Sequence, residues 1–228
     1  AVDLIADILT EPLMLPEELE REKNVIAQEI AAVADTPDDL VYDLFIQAAY
    51  PRQAFGRPIL GTAKSVAGFT PALLNGYLTT HYTAGRMVLA ATGAVDHDAF
   101  VAEVERRFAP FAGRVAPAEP PTAVYAGGDL SKGGSQEQLH FVLGFEGQSS
   151  REQAHYPYQV LAAILGGGLS SRLFQEMREK RGLAYAVEAF HWPFADTGLF
   201  GIGVGLAPSD VDEAFKVMLD CLHGVVAG

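Results

Sequence analysis

The chain has 228 residues, room for one large domain or two small ones, and its 49% apolar against 20% charged composition provides a sizeable core and argues against wholesale disorder. With 29 acidic and 16 basic residues the net charge is −13, which repels phosphate backbones and anionic bilayers and so argues against nucleic-acid and membrane partners. The single cysteine, Cys221, rules out an intrachain disulfide and a cysteine-based zinc cage within the chain. It favours the cytoplasm over the periplasm, since it fits a reducing compartment.

Val2, Leu4, Ile5, Ile8 and Leu9 follow a helical period over residues 1–10 with no capping residue in front. The opening therefore reads as the middle of a helix, and Ala1 is expected to be an internal boundary rather than the start of a gene product. No basic stretch followed by an apolar one, the mark of a secretion signal, is visible there. No apolar run approaches the length of a membrane span.

Pro16 suits the first turn of a long helix running to about Ala34, with Glu17 and Glu18 at the positive end of its dipole. A helix from about Asp38 to Ala49 carries Leu40, Leu44, Phe45 and Ala48 on one face, and 50–61, with Pro51, Gly56 and Pro58, reads as loop. A helix is expected over 71–81, a buried strand over 87–92, and a helix over 97–108 with Phe100, Val101, Val104 and Phe108 inward. Prolines and glycines break up 109–134, and 113–123 is read as a linker. Beyond it, alternation at Leu139, Phe141, Leu143 and Phe145 marks a strand. Helices at 152–165 and 170–181, strands at 183–192 and 198–206, and a helix from Ser209 to about Val225 complete the chain. The strand–turn–helix of 87–108 weakly echoes that of 198–225. An α+β fold is expected, with two similar tandem domains, each a mostly antiparallel sheet with helices on one face. The first takes in 1–112 and the second 124–228.

Glu22 and Glu29 stand seven residues apart on the long helix, within about 20° of each other and bordering the stripe of Leu19, Ile26, Ile30 and Val33. Carboxylates drawn towards a core need a cation or hydrogen-bond donors, and a metal is one answer. The plainer reading is that acidic residues often flank an apolar stripe, with Glu22 paired to a nearby Lys or Arg.

Glu22-x6-Glu29 resembles the second metal segment of the pitrilysin (insulinase) family of zinc peptidases, whose inverted H-x-x-E-H motif lies further upstream. Asp35-Thr36-Pro37-Asp38-Asp39, Gly56-Arg57-Pro58-Ile59-Leu60-Gly61-Thr62, and His81-Tyr82 followed by 87–93 are similar to the family's continuation. Residues 165–185, Leu-Gly-Gly-Gly-Leu-Ser-Ser-Arg-Leu-Phe-Gln-Glu-Met-Arg-Glu-Lys-Arg-Gly-Leu-Ala-Tyr, resemble the signature of the family's second domain. The resemblance implies that Glu29 is the third zinc ligand and that Glu22 supports it. It also implies that Arg178 and Tyr185, seven apart, face the zinc across a cavity. Taken alone, Arg178 suits a helix C-terminus and Tyr185 an ordinary strand position.

No H-x-x-E-H occurs among the six histidines, His81, His97, His140, His155, His191 and His223. Two zinc ligands and the general base are thus expected from outside this chain, which alone should bind zinc weakly and hydrolyse nothing. The second domain is likewise expected to continue past Gly228. Gly166-Gly167-Gly168 lacks the spacing of a phosphate cradle, so nucleotide binding is rejected. The resemblance implies a zinc-dependent metalloendopeptidase acting on peptides or unfolded protein segments, working as a homodimer or with a paired family subunit. The alternative is a non-catalytic partner or scaffold subunit of the same family.

Overall fold

A computed structural model describes residues 1–134 and 137–227. The expected second domain, 124–228, therefore includes three residues (135, 136 and 228) outside the described ones. The chain divides into two compact units, one of residues 1–28 with 62–120 and the other of 29–61 with 121–228.

The regular elements of the first unit are all helices among its described residues. It holds α1 (Val2–Thr10), the first part of α2 (Pro16–Asp35), α4 (Ala63–Ala67), α5 (Pro71–His81) and α6 (His97–Arg107). Local caps explain several boundaries. Thr62 and Ser65 form a reciprocal capping box on α4, Thr70 accepts from the Leu73 N–H with Pro71 in the first turn of α5, and Asp96 accepts from the Ala99 N–H on α6. Ala6, Val66, Thr83 and Phe111 are buried within this unit.

The strand expected over 87–92 is not formed. Met87 is extended, at φ −116° and ψ 137°, but Val88 is 94% exposed and nothing among the described residues pairs with the segment. A strand exists only as one side of a ladder, so an apolar β-branched run without a neighbour stays single. The strand half of the echo with 198–225 is therefore absent.

The second unit is built on an antiparallel sheet of three strands, β1 (Leu139–Glu146), β2 (Ala184–Pro193) and β3 (Gly198–Leu206), in the order β1-β3-β2. This is the expected α+β class with an antiparallel sheet. Every residue of the central β3 is buried, so both of its faces are covered. Phe200, Ile202, Val204 and Leu206 pack against α7 (His155–Gly166), the 173–177 turn and α8 (Val211–Ala227) through Leu165, Leu173, Met177, Ala214 and Met218. Leu199, with Val142, Phe190 and Trp192, meets α3 (Pro37–Ala49) through Phe45 and Ala49.

Between those apolar residues β3 carries Gly201, Gly203 and Gly205, and the neighbouring rings lie where their side chains would be. A Cβ on Gly201 would stand 2.3 Å from the Phe190 ring, and one on Gly205 would stand 3.0 Å from His140. Phe190 in turn stacks on Trp192 at 4.3 Å, and both flank Phe45. Tyr50 is wholly buried and shares a 2.7 Å hydrogen bond with Thr197.

Gly166 allows α7 to lie against β2, since a Cβ there would fall 2.1 Å from the Ala189 backbone nitrogen. Gly76, by contrast, has nothing within 4 Å of an added Cβ and sits inside α5. Gly166→Ala is therefore expected to destabilise the protein by at least about 2 kcal/mol through backbone displacement. Gly76→Ala should stabilise it by roughly 0.5–1 kcal/mol through helix propensity. Urea-unfolding midpoints of the two variants, read by circular dichroism, should move in opposite directions.

Candidate active site

Glu22 and Glu29 both lie on α2, a helix with no buried residue, and both are exposed. The stripe of Ile26, Ile30 and Val33 is only half-buried, so the carboxylates are not drawn into a core as their position beside it had suggested. Nor are they neutralised locally. Lys23 pairs with Glu20 at 2.6 Å and Arg21 with Glu18 at 2.6 Å, each three residues back along the helix. Both cations flanking Glu22 are thus committed elsewhere, and it has no ion pair among the described residues. Among the described residues, Glu22 thus lacks the Lys or Arg partner that the plainer reading gave it, while the exposed carboxylates beside a half-buried stripe fit that reading's other half.

Arg178 and Tyr185 belong to the second unit, where the helix expected over 170–181 takes another form. After a short helical start at Arg172 and Leu173, residues 174–179 wind as a π-helix, closed by the Lys180 N–H donating to the Gln175 carbonyl at 3.0 Å. The Gln175 side chain donates to the Leu169 carbonyl at 2.7 Å and so ties this turn to the glycine run before it. Gly182 ends it at φ +65°, a left-handed conformation that glycine adopts without cost. The N–H groups of Gly182 and Leu183 then return to the carbonyls of Arg178 at 3.1 Å and Met177 at 2.8 Å.

Tyr185 is the extra residue of a β-bulge, because Ala184 pairs with Leu206 while Ala186 already pairs with Gly205. Each candidate follows a buried anchor. Met177, fully buried, precedes Arg178, and Ala184, 5% exposed, precedes Tyr185. The anchors hold the backbone against the core while the next residue points away, so Arg178 and Tyr185 are both exposed. π-turns and β-bulges recur where a side chain must be re-aimed, and here one of each frames a single tight turn.

The charges around that turn are sorted. Glu176 pairs with Lys180 at 2.5 Å and with Arg181 at 2.5 Å, and these bonds hold its carboxyl below the usual glutamate range. Arg172 extends towards Gly224 on α8. Arg178 has no carboxylate partner among the described residues, and its guanidinium lies 5.1 Å from the centre of the Phe174 ring. Neither Phe174 nor Glu176 stood out in the sequence. The four- and five-residue spacings from Glu176 to Lys180 and Arg181 were the available signal for the second, but nothing local distinguishes a π-turn from an α-helix.

Glu29, Arg178 and Tyr185 make no side-chain hydrogen bond or ion pair with one another among the described residues. A cavity of about 610 Å³ between α3, β1 and residues 127–134 is lined by apolar side chains such as Leu44 and Phe141, and none of the candidates borders it. No group of three or more His, Cys, Asp or Glu able to hold a metal occurs among the described residues. A zinc centre needs three or four ligands, and Glu29 is one exposed carboxylate, so the residues present do not by themselves fit the ion.

Comparison with known proteins gives this arrangement its context. Residues 68–228 match the family model described as peptidase M16 inactive domain, and residues 1–63 match that of insulinase, peptidase family M16. The chain belongs to the M16 (insulinase) peptidase family. An uncharacterized zinc protease of Streptomyces coelicolor is 39% identical over 233 residues, matching 99% of this chain and 51% of that protein. The uncharacterized zinc protease YmxG of Bacillus subtilis is 34% identical over 224 residues, 97% of this chain and 54% of that protein. The chain thus spans about half the length of the curated relatives it matches. Among solved structures, a peptidase M16 inactive domain from Pseudomonas fluorescens superposes with a TM-score of 0.88 at 24% identity, over 100% of this chain and 56% of that one. A protease from Helicobacter pylori does so with a TM-score of 0.79 at 16% identity, over 95% of this chain and 55% of that one. These two likenesses show the M16 fold.

The Glu176 clamp yields a titration of known sign. Its folded-state pKa is lowered, so the clamp's contribution is present above the unfolded value and is lost as pH falls through the folded one. Carbon-detected NMR of the Glu176 carboxyl is expected to give a midpoint below that of an ordinary glutamate. In a Lys180→Gln/Arg181→Gln variant the midpoint should return to the ordinary value. An unchanged midpoint in that variant would refute the clamp.

Proposed function

We propose that this chain forms part of a zinc-dependent metalloendopeptidase acting on peptides or unfolded protein segments, with the remaining metal ligands supplied from outside residues 1–228. The observation that carries this reading is the pair Arg178 and Tyr185. Both are exposed, neither has a hydrogen-bond or ion-pair partner among the described residues, and each is set on a backbone irregularity beside one turn. In a family of peptidases, such a pair suits the binding of a scissile carbonyl.

The guanidinium presents several N–H donors at permanent positive charge, and the phenol presents one O–H. Directed at a peptide carbonyl, they orient it. As negative charge grows on its oxygen during attack, the same hydrogen bonds strengthen, which is the differential binding that lowers a barrier. Glu29 provides one carboxylate for the metal, and Glu22, two turns away on the same helix, supports it. Zinc itself is suggested by the names of the curated relatives, which are called zinc proteases. A homodimer or a paired family subunit would enclose an extended peptide between two half-shells. The proposed compartment is the cytoplasm.

A second reading, a non-catalytic partner or scaffold subunit, has two specific observations in its favour. The model matching 68–228 is described as an inactive domain, and the described residues contain no complete metal group. The exposed and unpaired state of Arg178 and Tyr185 favours the enzyme, since a scaffold has no need to hold two polar side chains out at irregular positions.

The test uses the assembled protein, containing this chain together with the segment that completes the metal site. Glu29→Gln is expected to remove zinc, read by elemental analysis, and to abolish hydrolysis of a quenched fluorescent peptide. Arg178→Ala and Tyr185→Phe should keep zinc and lower kcat, the former by about a hundredfold, as for loss of one oxyanion donor. Survival of both activity and zinc content in Glu29→Gln would show the ligand assignment to be wrong. Absence of hydrolysis in the zinc-loaded wild type would favour the scaffold.

A further inference from the structure

We infer that Phe174 is the positioning residue for Arg178, its ring fixing where the guanidinium stands. The inference rests on the role proposed above for Arg178. An exposed arginine has several rotatable bonds and loses about 2 kcal/mol of rotamer entropy when held in one geometry, so a free guanidinium aims poorly. Two features of the 172–181 segment counter this.

The first is attraction. Phe174 and Arg178 are four apart on the same turn, and the guanidinium carbon lies 5.1 Å from the ring centre, within the range in which a cation is drawn to an aromatic face. The ring is itself constrained, being half-buried and next to the fully buried Leu173. The guanidinium therefore rests on a platform attached to the core.

The second is that the carboxylate of this turn is held by other cations. Glu176, two residues from Arg178, projects from another side of the turn, and Arg178 has no ion pair among the described residues. Both Glu176 oxygens are taken, Oε1 by Lys180 and Oε2 by Arg181, and Arg181 also donates to the Glu176 main-chain carbonyl at 2.9 Å. A ring attracts a guanidinium through its face and leaves the N–H edges free for a carbonyl, whereas a carboxylate would occupy those edges. The segment thus holds Arg178 by the one kind of contact that leaves its donors available.

Two experiments test this. In the 228-residue chain itself, the Arg178 Nε–H proton is expected to be shifted by the ring current of Phe174, and Phe174→Leu should move it to the ordinary arginine position. No movement would overturn the inference whether or not the protein is a peptidase. In the assembled protein, Phe174→Leu is expected to lower kcat by about two- to fivefold with KM little changed. Phe174→Tyr should retain the activity. In an Arg178→Ala background the effect of Phe174→Leu should vanish. An equal effect of Phe174→Leu with and without Arg178 would mean that the ring merely supports the fold. If Arg178→Ala alone left kcat unchanged, the proposed role of Arg178 would fail instead, with the ring-current result still standing.

Discussion

The second unit depends on one constraint: among the described residues β3 is the only strand paired on both sides, and it is buried on both faces. A strand in that position has no polar face to give away, and its sequence, Gly198-Leu-Phe-Gly-Ile-Gly-Val-Gly-Leu206, contains no polar side chain. One face is the ordinary apolar surface of Phe200, Ile202, Val204 and Leu206. The other is largely absent side chain, and that absence is used. Gly201 accommodates Phe190, Gly203 accommodates the Tyr42 hydroxyl and Gly205 accommodates His140, so the rings of neighbouring elements supply the packing that β3 lacks. Glycine inside a strand costs conformational entropy and offers no side chain to bury. Here the cost is offset by aromatic area drawn from β2, β1 and α3, and α3 fits closely because Gly144 leaves room for the Phe45 ring.

That arrangement also explains why the candidate residues can be irregular. A π-turn and a β-bulge each forfeit ideal hydrogen bonding, and they persist only where their surroundings hold them. Leu173, Met177, Leu183 and Ala184 all enter the core of the second unit, two before Gly182 and two after it. With four anchors in so short a stretch, the intervening backbone can depart from regular geometry without loosening. Arg178 and Tyr185 occupy the departures. The side chains that stabilise this segment and those proposed to act in it are therefore interleaved but separate.

Elements whose signal is local and long were legible in the sequence. The helices at 16–35 and 71–81 announce themselves through proline at the first turn and a sustained period, and β3 has the expected bounds. Elements defined by a partner were not. Met87–Thr92 has the composition of a buried strand, but composition cannot supply the neighbouring ladder. The apolar face of α3 was clear at Phe45, but periodicity says only that a face is covered, not that Gly144 of β1 receives it. The π-turn lay beyond sequence reasoning for a different reason: it differs from an α-helix by one residue per turn, with no change in residue preferences. At the candidate site, Arg178 and Tyr185 were found through resemblance, because a lone arginine and a lone tyrosine carry no spacing signal of their own.

The exposure of Glu22 and Glu29 shows how stability and function divide in this chain. The core of the second unit closes without them, around β3 and the helices on its two faces, and α2 contributes no buried residue to any core. Neither carboxylate takes part in packing or pairs with a cation among the described residues. They remain in water at little cost, since an exposed charge is already solvated. Desolvating them would be expensive without a cation, so a partner that covered this face would have to bring positive charge with it. Among residues 172–181, Glu176 holds Lys180 and Arg181, while Arg178 rests against the Phe174 ring with no carboxylate partner among the described residues.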